Sequence, residues 1–146
     1  MSIWFADPTP QAINDFHPNA MPGHIGITFT EFGDDYLKAE MPVDHRTVQP
    51  FRVMHGGASA TLAETMGSVG AQMTVDSSQK RCVGLSLNVS HIRAAPEGSR
   101  VFGVARPFHM GRTTQVWDIQ ITDEREKLVT VARLTLAVLD QEGNVR

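Results

Sequence analysis

Residues 53–74 read Val53-Met54-His55-Gly56-Gly57-Ala58-Ser59-Ala60-Thr61-Leu62-Ala63-Glu64-Thr65-Met66-Gly67-Ser68-Val69-Gly70-Ala71-Gln72-Met73-Thr74 and hold the one convincing long helix, expected over Gly57–Thr74. Wound at about 100° per residue, Leu62, Met66, Val69 and Met73 form one apolar stripe. Gly57, Ala60, Glu64, Gly67, Ser68 and Ala71 fall on the opposite side. A solvated face would carry several charges of both signs, whereas this one has a single acid among the smallest residues. Small residues let a backbone or ligand come close and leave Glu64 as the only strong acid–base group there. Two readings are open. The small face packs on another helix while Glu64 pairs with a distant arginine, or Glu64 works as a carboxylate in a partly dry groove.

The residues ahead of the helix bear on that choice. Gly56-Gly57 lets the backbone present its N–H groups with no side chain in the way. First-turn N–H groups lack helical partners and sit at the positive end of the helix dipole. They form a donor pair suited to a developing oxyanion, with His55 orienting the loop and Gln49 holding His55. An ordinary capping turn is the alternative.

Working outward, Ile25, Ile27 and Phe29 alternate with smaller or polar residues, and Leu37, Ala39, Met41 and Val43 repeat the pattern after Gly33-Asp34-Asp35. That is two strands and a turn. A short helix is expected near Thr9–Phe16, capped by Thr9 with Pro10 in its first turn. After the long helix, Val83, Leu85, Leu87 and Val89 alternate, and strands are expected at Arg100–Phe108, Thr114–Thr122 and Lys127–Leu139. The tail Asp140–Arg146 reads as frayed. The connections are short enough for antiparallel neighbours. One helix cannot cover both faces of such a sheet, so either the sheet wraps around it or another copy covers the rest. The expected class is α+β, with residues 1–146 forming one domain.

The chain has 146 residues, 13 Lys+Arg against 16 Asp+Glu and a pI near 6.0, which offers no basic footprint for nucleic acid. No stretch approaches the roughly 20 apolar residues of a membrane span. The first residues show no signal peptide, and the single Cys82 suits a reducing compartment, so a cytoplasmic location is expected. Cys82 lies in an alternating strand and reads as packing rather than as a nucleophile. The six histidines lack a metal spacing, and no metal or separate cofactor is expected.

Gln49-Pro50-Phe51, Met54-His55-Gly56-Gly57-Ala58-Ser59-Ala60, Leu62-Ala63-Glu64 and Gly67-Ser68-Val69 resemble the hotdog-fold acyl-CoA thioesterases of the phenylacetate-degradation type. The likeness is greatest to the branch holding 1,4-dihydroxy-2-naphthoyl-CoA thioesterases and enterobactin-pathway proofreading thioesterases. Gly33-Asp34-Asp35, Met41-Pro42-Val43-Asp44, His91-Ile92-Arg93, Glu97-Gly98 and Gln115-Val116-Trp117 extend it from about Gly26 to Leu139. The resemblance implies an antiparallel sheet of about six strands wrapped around the central helix. It implies a homodimer with shared sites, and commonly a tetramer of two dimers. Glu64 would be nucleophile or general base on the thioester carbonyl, Gly56 N–H would bind its oxygen, Gln49 and His55 would support that donor, and Ser68 would position water or acid. Gln49, His55 and Gly56 of one chain would face Glu64 and Ser68 of the other. Coenzyme A, as part of the substrate, would lie along Gly84, His91, Ile92, Arg93 and Ala94, and along His109, Met110, Gly111, Arg112, Thr113 and Thr114. Arg93 and Arg112 would sit near its phosphates. Phe16, Met21, Met66, Val69 and Met73 could shape the acyl pocket, with core packing the favoured reading for each. Thioester hydrolysis of an aryl-CoA substrate is the leading reading; a hotdog hydratase or dehydratase and a non-catalytic acyl-CoA-binding protein are the alternatives.

Overall fold

The computed structural model describes residues 1–141. Two short helices, α1 (Pro10–Phe16) and α2 (Met21–His24), precede strands β1 (Thr28–Phe32) and β2 (Leu37–Pro42). The long helix α3 (Gly56–Met73) follows, then β3 (Lys80–His91), β4 (Arg100–Met110), β5 (Thr114–Thr122) and β6 (Leu128–Asp140). Thr9 caps α1, its hydroxyl accepting from Ala12 N, and Pro10 opens the helix where its missing N–H is not needed. The six strands form one antiparallel sheet in the order β1-β2-β4-β5-β6-β3. This is the α+β class expected, with six strands around α3.

Element ends shift by one or two residues from the sequence reading, α3 starting at Gly56 and β4 running on to Met110, and three larger details differ. Met21–His24 forms a helical turn, and β1 begins only at Thr28, so Ile25 and Ile27 are buried on the approach to the strand. β3 does not lie beside β4. It crosses α3 and pairs with β6 at the far edge, because the sheet must close round the helix before its last strand finds a partner. Asp140 ends β6 rather than starting a frayed tail, and the rest of that tail beyond Gln141 lies outside the described residues.

The core lies between α3 and the concave face of the sheet. Leu62 and Met66 are fully buried with Leu37, Met41, Trp117, Ile119 and Leu134. The smallest residues of α3 are spent on that contact. A Cβ at Gly67 would come within 2.6 Å of Leu134, and one at Gly70 within 2.6 Å of the Trp117 ring. Gly67 and Ala71 are therefore sheet-facing, and the open strip of the helix is narrower than its small-residue face, running through Gly57, Thr61, Glu64 and Ser68. The N-terminal segment closes one end of the core. Trp4 stacks on Trp117 and donates its indole N–H to Gly33 O at 2.7 Å, and Phe5 N donates to Met73 O at 2.9 Å.

Candidate active site

The loop before α3 is held from two sides. His55 N donates to Thr47 O at 2.8 Å and Met54 N to Ala95 O at 2.8 Å. Arg52 turns the chain with φ 62°, a conformation that few side-chain-bearing residues adopt, and its guanidinium grips the Glu97 carboxylate at 2.5 and 2.8 Å. Upstream, Asp44 accepts from the backbone and guanidinium of Arg46, which holds its carboxyl down at about 2. This bracing fixes where α3 begins.

His55 is the cap of that helix: its Nδ1 accepts from Gly57 N at 2.7 Å. The bond ties the loop to the helix start as an ordinary cap does, the alternative left open above, and it spends the second glycine's N–H. The donor pair reduces to one, the N–H of Gly56, which has no partner among the described residues. Gln49 does not hold His55. Its side-chain oxygen accepts from Phe51 N and its own N–H donates to Val53 O, because the tight turn at Arg52 brings those groups closer than the imidazole.

Glu64 and Ser68 sit two and three turns into α3, both half-buried. Among the described residues Glu64 makes no hydrogen bond or ion pair, so the distant-arginine reading fails within this chain. Its carboxylate lies against β3, where a Cβ at Gly84 would be 2.5 Å from Oε1. Burial without a compensating cation pushes its pKa above the ordinary value of 4.5. A carboxylate that is partly dry and unpaired is equipped to accept a proton or attack a carbon.

The remaining candidates fall into two groups. His91, Ile92, Arg93 and Ala94 gather with Gln49 and Gly56 around a recess of about 330 Å³. Met110, His109 and Gly111–Thr114 form the β4–β5 hairpin, which is level with Val83 and Gly84 through the pairs Thr114–Ala137 and Ala137–Val83. Gly84 and His91 stand at separate points of β3, seven residues or about 23 Å apart. One chain therefore does not bring the hairpin and the His91 loop to a single ligand, and Arg93 and Arg112 lie at opposite ends. The same split affects the catalytic candidates. Gly56 and Glu64 are eight residues apart on one helix, about 12 Å along its axis, too far to act on the same carbonyl.

A cavity of about 690 Å³ opens beside Ser68 and is walled by Val69 and Met73 of α3, Ile13 and Phe16 of α1, and Cys82 of β3. Phe16, Val69 and Met73 thus line this cavity. Met66 is fully buried core, wedged against Gly103, and Met21 lies elsewhere, near Ile25 and Arg46. Cys82 is half-buried and burial raises its thiol pKa, which suits packing rather than nucleophilic attack.

Two polar residues near Gly56 escaped the sequence reading. Ser59 is fully buried and donates its hydroxyl to Gly56 O at 2.9 Å. Thr130 of β6 is also fully buried, borders the same recess, and has no hydrogen-bond partner for its hydroxyl among the described residues. The signal for Ser59 was its position three residues after Gly56, where a helical hydroxyl can reach back to a carbonyl. Thr130 was visible only as a polar interruption in an apolar strand.

Among the described residues no group of three or more His, Cys, Asp or Glu side chains could hold a metal ion, and no helix is long and apolar enough to cross a membrane. Residues 51–130 match the family model of the Thioesterase superfamily. The chain is 47% identical to the 1,4-dihydroxy-2-naphthoyl-CoA hydrolase of Escherichia coli over 94% of its own length and 99% of that protein. It is 46% identical to the proofreading thioesterase EntH of Cronobacter sakazakii over 94% of this chain and 98% of the relative. The crystal structure of a mutant thioesterase from Pseudomonas aeruginosa superposes with a TM-score of 0.93 at 45% identity, covering 96% of this chain and all of the other. With that fold, a braced glycine at the start of the central helix and an unpaired acid two turns on, the chain belongs to the thioesterase superfamily and is a thioester hydrolase of the hotdog fold.

Proposed function

We propose that the protein hydrolyses acyl-CoA thioesters in the cytoplasm, with an aromatic acyl group, at sites shared between two copies of the chain. The observation that carries this reading is Glu64, an unpaired and partly desolvated carboxylate facing Gly84 with its pKa raised by burial. In the reaction the Gly56 N–H binds the thioester carbonyl oxygen as it gains charge, in a region where a fixed donor acts more strongly than in water. Glu64 attacks the carbonyl carbon, or takes a proton from a water that does, while Ser68 one turn on orients the water or the acid. The C–S bond breaks and coenzyme A leaves as the thiolate; where Glu64 attacks directly, water then splits the acyl–Glu64 anhydride, and by either route the acyl group leaves as the free acid. His55 keeps the helix start in place, and Gln49 holds the turn before it.

The two-copy site is supported by the spacing within one chain. β3 is a long strand at the sheet edge with Val83 37% and Leu85 62% exposed, an edge that invites another strand. Antiparallel pairing of two such edges about a two-fold axis near Leu87 and Asn88 would set Gly84 of one copy opposite His91 of the other. Glu64 would then meet the second copy's Gly56, and the β4–β5 hairpin would meet its His91–Ala94 loop, uniting both groups of coenzyme A candidates. Two such dimers would make a tetramer. An aromatic acyl group suits the cavity beside Ser68, whose Phe16, Val69 and Met73 walls are apolar, and the aryl-CoA substrate named for the Escherichia coli relative agrees with it.

The test follows coenzyme A release with a thiol reagent for wild type and Glu64→Gln on benzoyl-CoA and octanoyl-CoA. Glu64→Gln is expected to lose at least about 10²-fold in rate, and benzoyl-CoA to be the better substrate. Equal rates for both proteins would overturn the role of Glu64, and a preference for octanoyl-CoA would overturn the aromatic assignment.

A further inference from the structure

His91 closes the recess beside the helix start in a way that coenzyme A contact alone does not require. Its ring occupies the space where a side chain on residue 56 would be: a Cβ at Gly56 would lie 2.8 Å from Nε2 and 2.9 Å from Cε1. The other ring nitrogen, Nδ1, is 3.4 Å from Ser59 Oγ. The Ser59 hydroxyl has one proton and donates it to Gly56 O at 2.9 Å. With that proton spent, Ser59 Oγ can only accept toward His91, so a bond between the two is made by the tautomer that carries its proton on Nδ1. The same glycine is thus met twice, by the Nε2–Cε1 side of the imidazole where its Cβ would be and by the Ser59 hydroxyl at its carbonyl. Both contacts converge on the residue that presents the unpartnered N–H. Ser59 is fully buried and cannot swing away, and His91 is anchored at the end of β3, its backbone paired with Thr130 of β6.

We propose that His91 is a positioning residue for thioester hydrolysis, keyed by Ser59, which holds the Gly56 peptide at the angle its N–H needs for the developing oxyanion. Glycine has the widest backbone freedom of any residue, so a donor placed on it requires an outside restraint. His91 supplies one by filling the space that a side chain would have filled. Angular restraint of this kind acts mainly in the transition state, where charge on the oxygen is greatest, so it moves kcat rather than KM. The inference rests on the reading that Gly56 N–H binds the thioester oxygen.

The test is a steady-state series of His91→Ala, His91→Asn, Ser59→Ala and His91→Ala with Ser59→Ala on benzoyl-CoA, with the affinity for free coenzyme A measured alongside. His91→Ala and Ser59→Ala are each expected to lower kcat by about 10-fold to 10²-fold, and Ser59→Ala, which removes no coenzyme A contact, to do so at unchanged KM and coenzyme A affinity. The double variant should be no slower than the worse single one, because both act through one peptide. Asn, whose amide N–H stands near the position of Nδ1–H, should recover part of the loss. A fall in coenzyme A affinity with kcat unchanged, an additive double variant, or wild-type kcat in His91→Ala would each overturn the proposal. Glu64→Gln run in the same series separates the two levels. If it keeps wild-type kcat, the hydrolytic reading of the site fails; if it is inactive and His91→Ala is not slowed, only the role of His91 fails.

Discussion

At the scale of single residues, the site is built from groups that are deliberately left short of partners. Glu64 is the clearest case, since burial raises its pKa and nothing nearby relieves the cost of its charge. A carboxyl whose folded pKa lies above its unfolded value favours folding at pH below the unfolded value, and that contribution is lost as pH rises through the folded pKa. At neutral pH the ionised Glu64 is therefore a burden on the fold. Glu64→Gln should melt at a higher temperature than wild type at pH 7 while being inactive, and the gain should vanish on titration below about pH 4, where both side chains are neutral. Differential scanning calorimetry at the two pH values checks this. The acid limb of kcat/KM should likewise bend above the ordinary value of 4.5. Gly84 gives a second test at the same place. The side chain added by Gly84→Ala would lie 2.5 Å from where Oε1 now sits, and Glu64 is the flexible partner that must yield. Gly84 is itself exposed, so Gly84→Ala should reduce kcat at least about tenfold with little change in melting temperature, as activity and thermal scans would show.

At the scale of elements, α3 has to satisfy two demands at once. One side of it packs into the sheet, where its Gly67 and Gly70 let Leu134 and Trp117 approach the backbone. Ala in place of Gly on an open helix face gains up to about 1 kcal/mol in helix propensity. At Gly70 the new methyl would press on a fully buried indole that is itself hydrogen-bonded to Gln115 at 2.8 Å. Overpacking of that kind costs about 1–3 kcal/mol and outweighs the propensity. Gly70→Ala is thus expected to lower the melting temperature by a few degrees, and a rise would show that the indole relaxes freely. The small residues of this helix looked alike in the sequence. Those near Glu64 leave room at the surface, whereas Gly67 and Gly70 leave room for the core, and only the position of the sheet tells them apart.

At the scale of the whole molecule, the candidate residues are divided between separate places on the chain. Gly56 and Glu64 lie about 12 Å apart along α3, and the two groups of coenzyme A candidates lie at opposite ends of β3. An exposed apolar edge, with Leu85 62% exposed, joins those ends. Charges on a strand edge are the usual guard against pairing, so Leu85→Glu should oppose association of two β3 edges. Light scattering at falling concentration should show Leu85→Glu reaching monomer size well above the concentration at which wild type does. Its activity should fall in step with the loss of the larger species. A monomer with full activity would contradict the shared site.

The strand and helix pattern, the α+β class and the pairing of a Gly-Gly helix start with a lone acid were legible in the sequence because they depend on local periodicity and residue size. Thr9 capping α1 and His55 ordering the turn before α3 are likewise matters of a few adjacent residues. The tertiary structure alone decided what long-range contacts control. It put β3 against β6 rather than β4, and spent the Gly57 N–H on His55. It turned Gln49 toward Phe51 and set His91 against Gly56 from 35 positions away. Hydrogen-bond partners and packing neighbours are chosen by distance in space, and a closed sheet brings together residues whose separation along the chain carries no record of that meeting.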